Sequence, residues 1–281
     1  MTRIVLIIVM ATLLTAGCGA ATAGKNTIVA AFYPLAYAAK SIAGPRYHVE
    51  NLTPPGAEPH DLELTPRTVG RVETAGFVLY LGHGFQPAVA TAAGQARGKA
   101  IDVLGGLPLR RSTEQGMSAD PHVWLDPVLF ARIAERIGTT LRRSSRGFVR
   151  RLNALDREFR AGLRHCARHE LVTSHAAFGY LAARYGLRQI AITGLNPESE
   201  ASPQQLARVV QLVRSTGATT VFFERLVSSR LADTVAREVG ARTAVLDPIE
   251  GLTPSEQDRG DDYFSLMRGN LGALRTALAC R

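Results

Sequence analysis

Thr27-Ile-Val-Ala-Ala-Phe32 is a short apolar run followed by a helical stretch to Ala43, and the same order returns at Glu170-Leu-Val-Thr-Ser174, followed by a helical stretch through Tyr185 and Gly186. Working outward, Val49–Leu52 and Gln189–Ile192 are short strands that each lead into a proline-containing loop. Those loops end in Leu64-Thr65-Pro66 and Ala201-Ser202-Pro203, where a hydroxyl residue before proline reads as a helix N-cap followed by proline at the first helical position. Apolar strands follow at Phe77-Val-Leu-Tyr-Leu81 and Thr220-Val-Phe-Phe223, then at Ala100-Ile-Asp-Val-Leu104 and Thr243-Ala-Val-Leu246. The offset between the two series stays near about 140 residues, which marks an internal duplication. Strands alternating with helical patterns predict parallel sheets made of βα units, here two of them.

Between the halves, Asp126-Pro127 opens a helix running to about Arg143, and Phe148, Leu152, Leu155, Phe159 and Leu163 recur at spacings of three and four. A helix of this length would join the halves as a stiff spine. The expected fold class is therefore α/β, two pseudo-duplicated lobes joined by one long helix. The pattern divides the chain into a signal segment over 1–18, a first lobe over 27–144, a linking helix over 145–167 and a second lobe over 168–281.

The first residues read as a targeting device. Arg3 precedes the apolar run Ile4–Ala16, and Thr-Ala-Gly-Cys18 places small residues before a cysteine. The run is too short for a permanent span, which needs about 20 apolar residues. The order resembles a bacterial lipoprotein signal with Cys18 as the lipid-bearing residue, although Thr15 stands where such signals more often carry a branched aliphatic. A plain secretory signal cut nearby is the alternative, and both export the chain. Cys166 and Cys280 then form an even pair in a protein bound for an oxidising compartment, either as a disulfide or as two buried thiols.

The formal net charge is +9, with 46% hydrophobic and 20% charged residues. Many of the basic residues lie between Arg132 and Arg168 on amphipathic helical pattern, with no basic run interleaved with aromatics. This describes a solvated helix face, one also compatible with nearness to anionic lipid, and excludes nucleic acid as the expected partner.

Four short segments carry the chemistry. Gly56-Ala-Glu-Pro-His-Asp-Leu-Glu-Leu-Thr-Pro66 sets His60 behind a rigid proline in a turn that Gly56 permits. His122 lies in Asp120-Pro-His-Val-Trp-Leu-Asp-Pro127, His175 directly follows the strand Glu170–Ser174, and Asp247 follows Thr243–Leu246. All four fall at the carboxyl ends of strands, where open α/β sheets bind ligands, two from each lobe. Three imidazoles and one carboxylate suit tetrahedral Zn²⁺. Spacings of roughly 50 to 75 residues exclude a local zinc-finger loop, and four protein ligands leave no position for water or substrate. The set therefore points to holding a metal, not to catalysis with it.

These segments, GAEPHDLELTP, DPHVWLDP, VTSHAAFGYLAARYGL and VLDPIEGL, resemble in order and spacing the metal-binding lipoproteins of ABC importers for zinc and manganese, the ZnuA/TroA type. The resemblance implies a two-lobed receptor with the metal in its cleft, bound as cargo by His60, His122, His175 and Asp247 and delivered to a membrane permease. His at the third position tilts the cargo toward Zn²⁺, since manganese-selective relatives usually carry Glu there; a Mn²⁺ receptor is the nearest alternative. Two departures stand out. No histidine lies between Arg110 and Ala119, where many zinc members have a His-rich loop, and Leu81-Gly-His-Gly-Phe-Gln-Pro87 replaces a common Leu-Glu-x-Trp pattern.

Glu58 and Glu224 are candidate groups for orienting an imidazole or competing as ligand, and His83 is either a further group near the site or a loop histidine. Asp247 also fits a turn before Pro248. His165, Cys166 and His169 make a separate cluster, for which a second metal site is the weaker reading beside a Cys166–Cys280 pair. The expected mechanism is capture by a monomeric, lipid-anchored protein facing the periplasm or extracellular side, with affinity falling as pH drops through about 6 to 7. A zinc hydrolase using Glu58 or Glu224 as base is the rival from another class, and a metal-dependent adhesin is a third reading.

Overall fold

The computed structural model describes residues 24–199 and 201–281. The leader and Cys18 lie outside the described residues. The first half runs β1 (Gly24–Ala30), α1 (Tyr33–Ala43), β2 (His48–Asn51), α2 (Pro66–Thr74), β3 (Ala75–Tyr80), α3 (Pro87–Ala93) and β4 (Lys99–Asp102). Two helices follow, α4 (Pro127–Leu141) and α5 (Arg146–Gly162). The second half runs β5 (Glu170–Thr173), α6 (Gly179–Arg184), β6 (Arg188–Ala191), α7 (Pro203–Thr216), β7 (Thr220–Phe223), α8 (Arg230–Val239) and β8 (Arg242–Val245), and closes with α9 (Pro254–Asp258) and α10 (Tyr263–Ala277).

Both sheets are four-stranded and parallel, ordered β2-β1-β3-β4 and β6-β5-β7-β8. The duplication seen in the strand pattern is thus a duplication of topology. In each sheet the connections reverse direction between the two central strands, so the loops beyond their carboxyl ends splay apart and open a crevice. The proline helix starts behave as their chemistry requires. Thr65 accepts from the Thr68 N–H, Ser202 from Gln205 and Asp126 from Val128, each satisfying a donor the helix itself leaves unpaired.

One large apolar cluster runs from β1 through α4 and α5 into the second half. Its centre is aromatic. The Phe32 ring meets Trp124 edge-on with centroids 4.7 Å apart, and Phe85 lies 5.0 Å from Phe32 in the same manner. Trp124 also ties the halves together. Its Nε1–H donates to the Pro248 carbonyl (2.7 Å), and its own carbonyl accepts the Tyr263 hydroxyl (2.6 Å). Helix α10 turns back across the first half, where Tyr263 and Phe264 pack among Tyr37, Phe130 and Phe148 and the Tyr37 hydroxyl donates to Asp262. Cys166, just beyond α5, forms a disulfide with Cys280, just beyond α10, closing a sequence separation of 114.

Candidate metal centre

His60, His122, His175 and Glu250 bring one ligand atom each within 4.8 Å of one another, and all four residues are buried. Glu250 Oε1 stands 3.4 Å from His60 Nε2, 3.1 Å from His122 Nε2 and 3.7 Å from His175 Nε2, while the last two nitrogens are 3.4 Å apart. Zinc bonds of about 2.0–2.1 Å give a tetrahedron with edges of about 3.3–3.4 Å. Four of the six edges, at 3.1–3.7 Å, lie near that length, and all four donor atoms fall within 4.8 Å of one another, close enough to share one small cation.

Each imidazole is aimed by a separate device. His60 follows the turn at Gly56, whose φ of 79° suits glycine. Its backbone N–H donates to Glu58 Oε1 (3.0 Å), and the Pro59 carbonyl accepts from Gln86 Nε2 (3.0 Å). The ring rests edge-on against Phe85. His122 lies near the end of the long loop between β4 and α4, where Asp120 Oδ1 accepts from both its backbone N–H (3.0 Å) and its Nδ1–H (2.8 Å). His175 follows β5, and its Nδ1–H donates to Glu224 Oε1 (2.6 Å), at the carboxyl end of β7. In both cases a carboxylate holds the proton on Nδ1, fixing the tautomer and leaving Nε2 to face the centre.

The charge arrangement is that of a site made for a cation. Burial pushes the Glu250 carboxyl up, but the surrounding imidazoles outweigh it and hold it well below the usual carboxylate range. Burial pushes His175 down, and the charge of Glu224 with the hydrogen bonds to Glu224 and Glu250 more than reverses this, to about 10. His122 is likewise raised against burial by Asp120 and Glu250, whereas burial wins at His60 and lowers it. Burial, then the charge of Glu250, raises Glu58 to about 9. One oxygen each of Glu58, Glu224 and Glu250 is buried without a hydrogen-bond partner among the described residues. Three such lone pairs around a cluster of imidazoles are costly unless a positive charge completes them.

Asp247 is not part of the convergent set. Burial raises its carboxyl to about 7, and its oxygens are engaged elsewhere: Oδ1 accepts from the Ile249 N–H (2.7 Å) and Oδ2 lies 3.6 Å from Arg225 Nε. This bond folds the loop so that Ile249 adopts a φ of 58°, and the reversal carries Glu250 into the centre. The carboxylate expected at Asp247 thus bonds within its own loop, and the carboxylate that joins the three imidazoles is Glu250, three residues later. The signal for Glu250 was its place in Asp247-Pro-Ile-Glu-Gly251, where two carboxylates share one loop and only the backbone turn decides between them. Of the other candidates, Glu58 and Glu224 contact the His60 backbone and the His175 ring. His83 is exposed, bonded to Ser118, and outside the cluster.

A cavity of about 610 Å³ leads outward from His60 between the halves, lined by Phe85, Glu114 and Met117 on one side and Gly194 and Asn196 on the other. Glu114 Oε1 accepts from the Leu195 N–H (2.5 Å) across this mouth, which holds the two walls together.

A duplicated pair of parallel sheets, a helical spine and a set of metal-ligating groups assembled from both halves define the class of two-lobed metal receptors. The chain belongs to the family described as zinc-uptake complex component A, periplasmic, whose model matches residues 28–277. It is 32% identical over 300 residues to the high-affinity zinc uptake system protein ZnuA of Bacillus subtilis, covering 95% of this chain and 94% of that protein. Its fold matches the crystal structure of the Zn(II)-bound ZnuA-like domain of Streptococcus pneumoniae AdcA, with a TM-score of 0.78, 33% identity, and 91% and 99% of the two chains covered. It also matches the laminin binding protein Lmb of Streptococcus agalactiae, described as a bifunctional protein with adhesin and metal transporting activity, with a TM-score of 0.81, 27% identity, and 90% and 98% covered.

Proposed function

We propose that this protein captures Zn²⁺ in the cleft between its lobes and delivers it to the permease of an ABC importer, acting as an exported monomer tethered by lipid at Cys18. The ligands are His60, His122, His175 and Glu250. The observation that carries this reading is the convergence of three Nε2 atoms on one oxygen of Glu250, at 3.1–3.7 Å from it. Neutral imidazoles with one carboxylate suit zinc, whereas an all-oxygen set would suit manganese better. With four protein donors the ion keeps no position for an attacking water, so the centre stores and releases metal instead of activating it. No helix of the described residues is long and apolar enough to cross a membrane, in keeping with attachment through the leader cysteine.

The test is calorimetric titration of metal-stripped protein with Zn²⁺ and, separately, Mn²⁺, with His60→Ala alongside. Tight one-to-one zinc binding that the substitution abolishes, and much weaker manganese binding, is the expected result. Manganese preference would change the cargo, and no binding of either metal would sink the reading.

Zinc affinity rises with pH through neutrality and beyond. His175, held near 10, keeps a proton in the metal-free protein that must leave when Nε2 binds the ion. Between the ordinary histidine range and that value, one proton is displaced per ion, so affinity climbs by about tenfold per pH unit between roughly pH 7 and 9. Below this range His122, also raised, adds to the competition. Competition titrations at three pH values check this, and a flat profile would count against it.

Glu224→Gln removes the charge that orients His175 while leaving a similar shape. Zinc affinity is expected to fall by about 10- to 100-fold, the usual range for the partner of a ligating imidazole. The pH dependence should flatten together with it, because His175 no longer holds its proton so tightly. An unchanged affinity would mean that the 2.6 Å contact with Glu224 does not govern the ligand.

A further inference from the structure

A strongly basic stretch lies outside the convergent cluster. Between Leu141 and Glu170 stand nine arginines against two acidic residues, which accounts for most of the formal net charge of +9. The acids are already matched, Asp156 with Arg160 and Glu158 with Arg268. At 3.6 residues per turn, Arg146, Arg150 and Arg157 fall within about 40° of one another on α5. They point opposite the buried Phe148, Leu152, Leu155 and Phe159, and Arg164 follows in the turn beyond the helix. All four are exposed, and none makes an ion pair among the described residues. Exposed Arg142 and Arg143 extend the line at its amino end. A solvated helix face ordinarily mixes both signs. This one carries a single sign over about 25 Å, the length of α5.

The point of attachment lies beside it. The described chain begins at Gly24 in β1, and Gly24–Thr27 share a hollow with Pro45–His48. The Arg143 guanidinium sits 5.9 Å over the Tyr47 ring of that hollow. The start of β1 therefore adjoins the amino end of the arginine stripe, at the opposite ends of the strands from the metal ligands. From Cys18 to Gly24 the chain reaches at most about 20 Å.

We infer that the back of α5 rests on the anionic phospholipid surface of the membrane, with Arg146, Arg150, Arg157 and Arg164 binding headgroup phosphates. This deepens the reading of a lipid-tethered receptor and rests on it. Arginine is suited to the contact because its planar fork pairs two donors with a phosphate. A single acyl chain gives only marginal attachment, and a basic patch is the second signal that makes it stable.

The test is sedimentation of unlipidated residues 19–281, metal-free and zinc-loaded, with vesicles of phosphatidylcholine alone or mixed with phosphatidylglycerol. The protein is expected to bind the mixed vesicles only, and to be released as salt rises from about 0.1 to 0.5 M. Replacing Arg146, Arg150, Arg157 and Arg164 by glutamine should lower the partition coefficient by at least ~100-fold. Replacing Arg67, Arg97, Arg208 and Arg237 removes the same charge from other faces and should lower it far less. Equal losses in the two variants, or no binding of the unaltered protein to mixed vesicles, would overturn the proposal. Zinc titration of the same samples keeps the two readings apart: vesicle binding without zinc binding would sink the receptor, and the reverse would sink only the lipid contact.

Discussion

Glu250→Gln is expected to weaken zinc binding on the order of a thousandfold, while Asp247→Asn leaves it within about tenfold. The first figure follows from removing one member of a buried, charge-paired cluster, which typically costs about 3–5 kcal/mol. Glu250 is fully enclosed, and its Oε1 is the atom on which all three imidazoles converge. Glutamine keeps the volume but offers a neutral carbonyl, so the ion would retain three neutral ligands and no compensating charge. Asparagine at 247 still presents an oxygen to the Ile249 N–H, so the turn that delivers Glu250 survives. Paired titrations of the two variants decide the matter. A large loss with Asp247→Asn and a small one with Glu250→Gln would restore Asp247 as the ligand and overturn the geometry of the centre.

The second large effect concerns the fold. Cys166→Ser with Cys280→Ser is expected to destabilise the protein by about 4 kcal/mol, since the bridge closes a loop of over one hundred residues in the unfolded chain. For a protein of this size that is a fall of about 10 °C in Tm. The bridge fastens the end of α10 to the end of α5, and α10 carries Asn270. That side chain accepts from the Asp247 N–H (2.9 Å) and donates to the Asp247 carbonyl (2.6 Å), gripping the loop that bears Glu250. Zinc should therefore raise the Tm of both forms, with the reduced form starting lower. Thermal unfolding with and without reductant checks this, and coincident curves would refute it.

The strands and three of the four convergent side chains were legible because they depend on local pattern. Val and Ile runs ending in turn residues marked the strands, and Thr65-Pro66 and Ser202-Pro203 marked helix starts whose capping bonds form as expected. His60 and His122 were readable through their prolines and His175 through the strand end before it. Glu250 was not, because the choice between two carboxylates in one loop rests on the φ of Ile249, which no side-chain pattern announces. The return of α10 onto the first half was equally hidden: Tyr263 and Phe264 give an apolar face but not the address of its partner. The arginine stripe showed in composition, while its alignment and its nearness to Gly24 needed the fold.

The hydrogen bond from Trp124 to the Pro248 carbonyl joins the two halves beside the convergent cluster. Trp124 stands two residues after His122, and Pro248 two residues before Glu250, so a buried bond braces one ligand from each lobe against the other. Those two donors travel together, and separating the lobes between them would break the brace. Of the four convergent residues, His60 alone lines the outward cavity. His60 is thus the convergent donor that faces the outward cavity, and it is carried by the loop between β2 and α2.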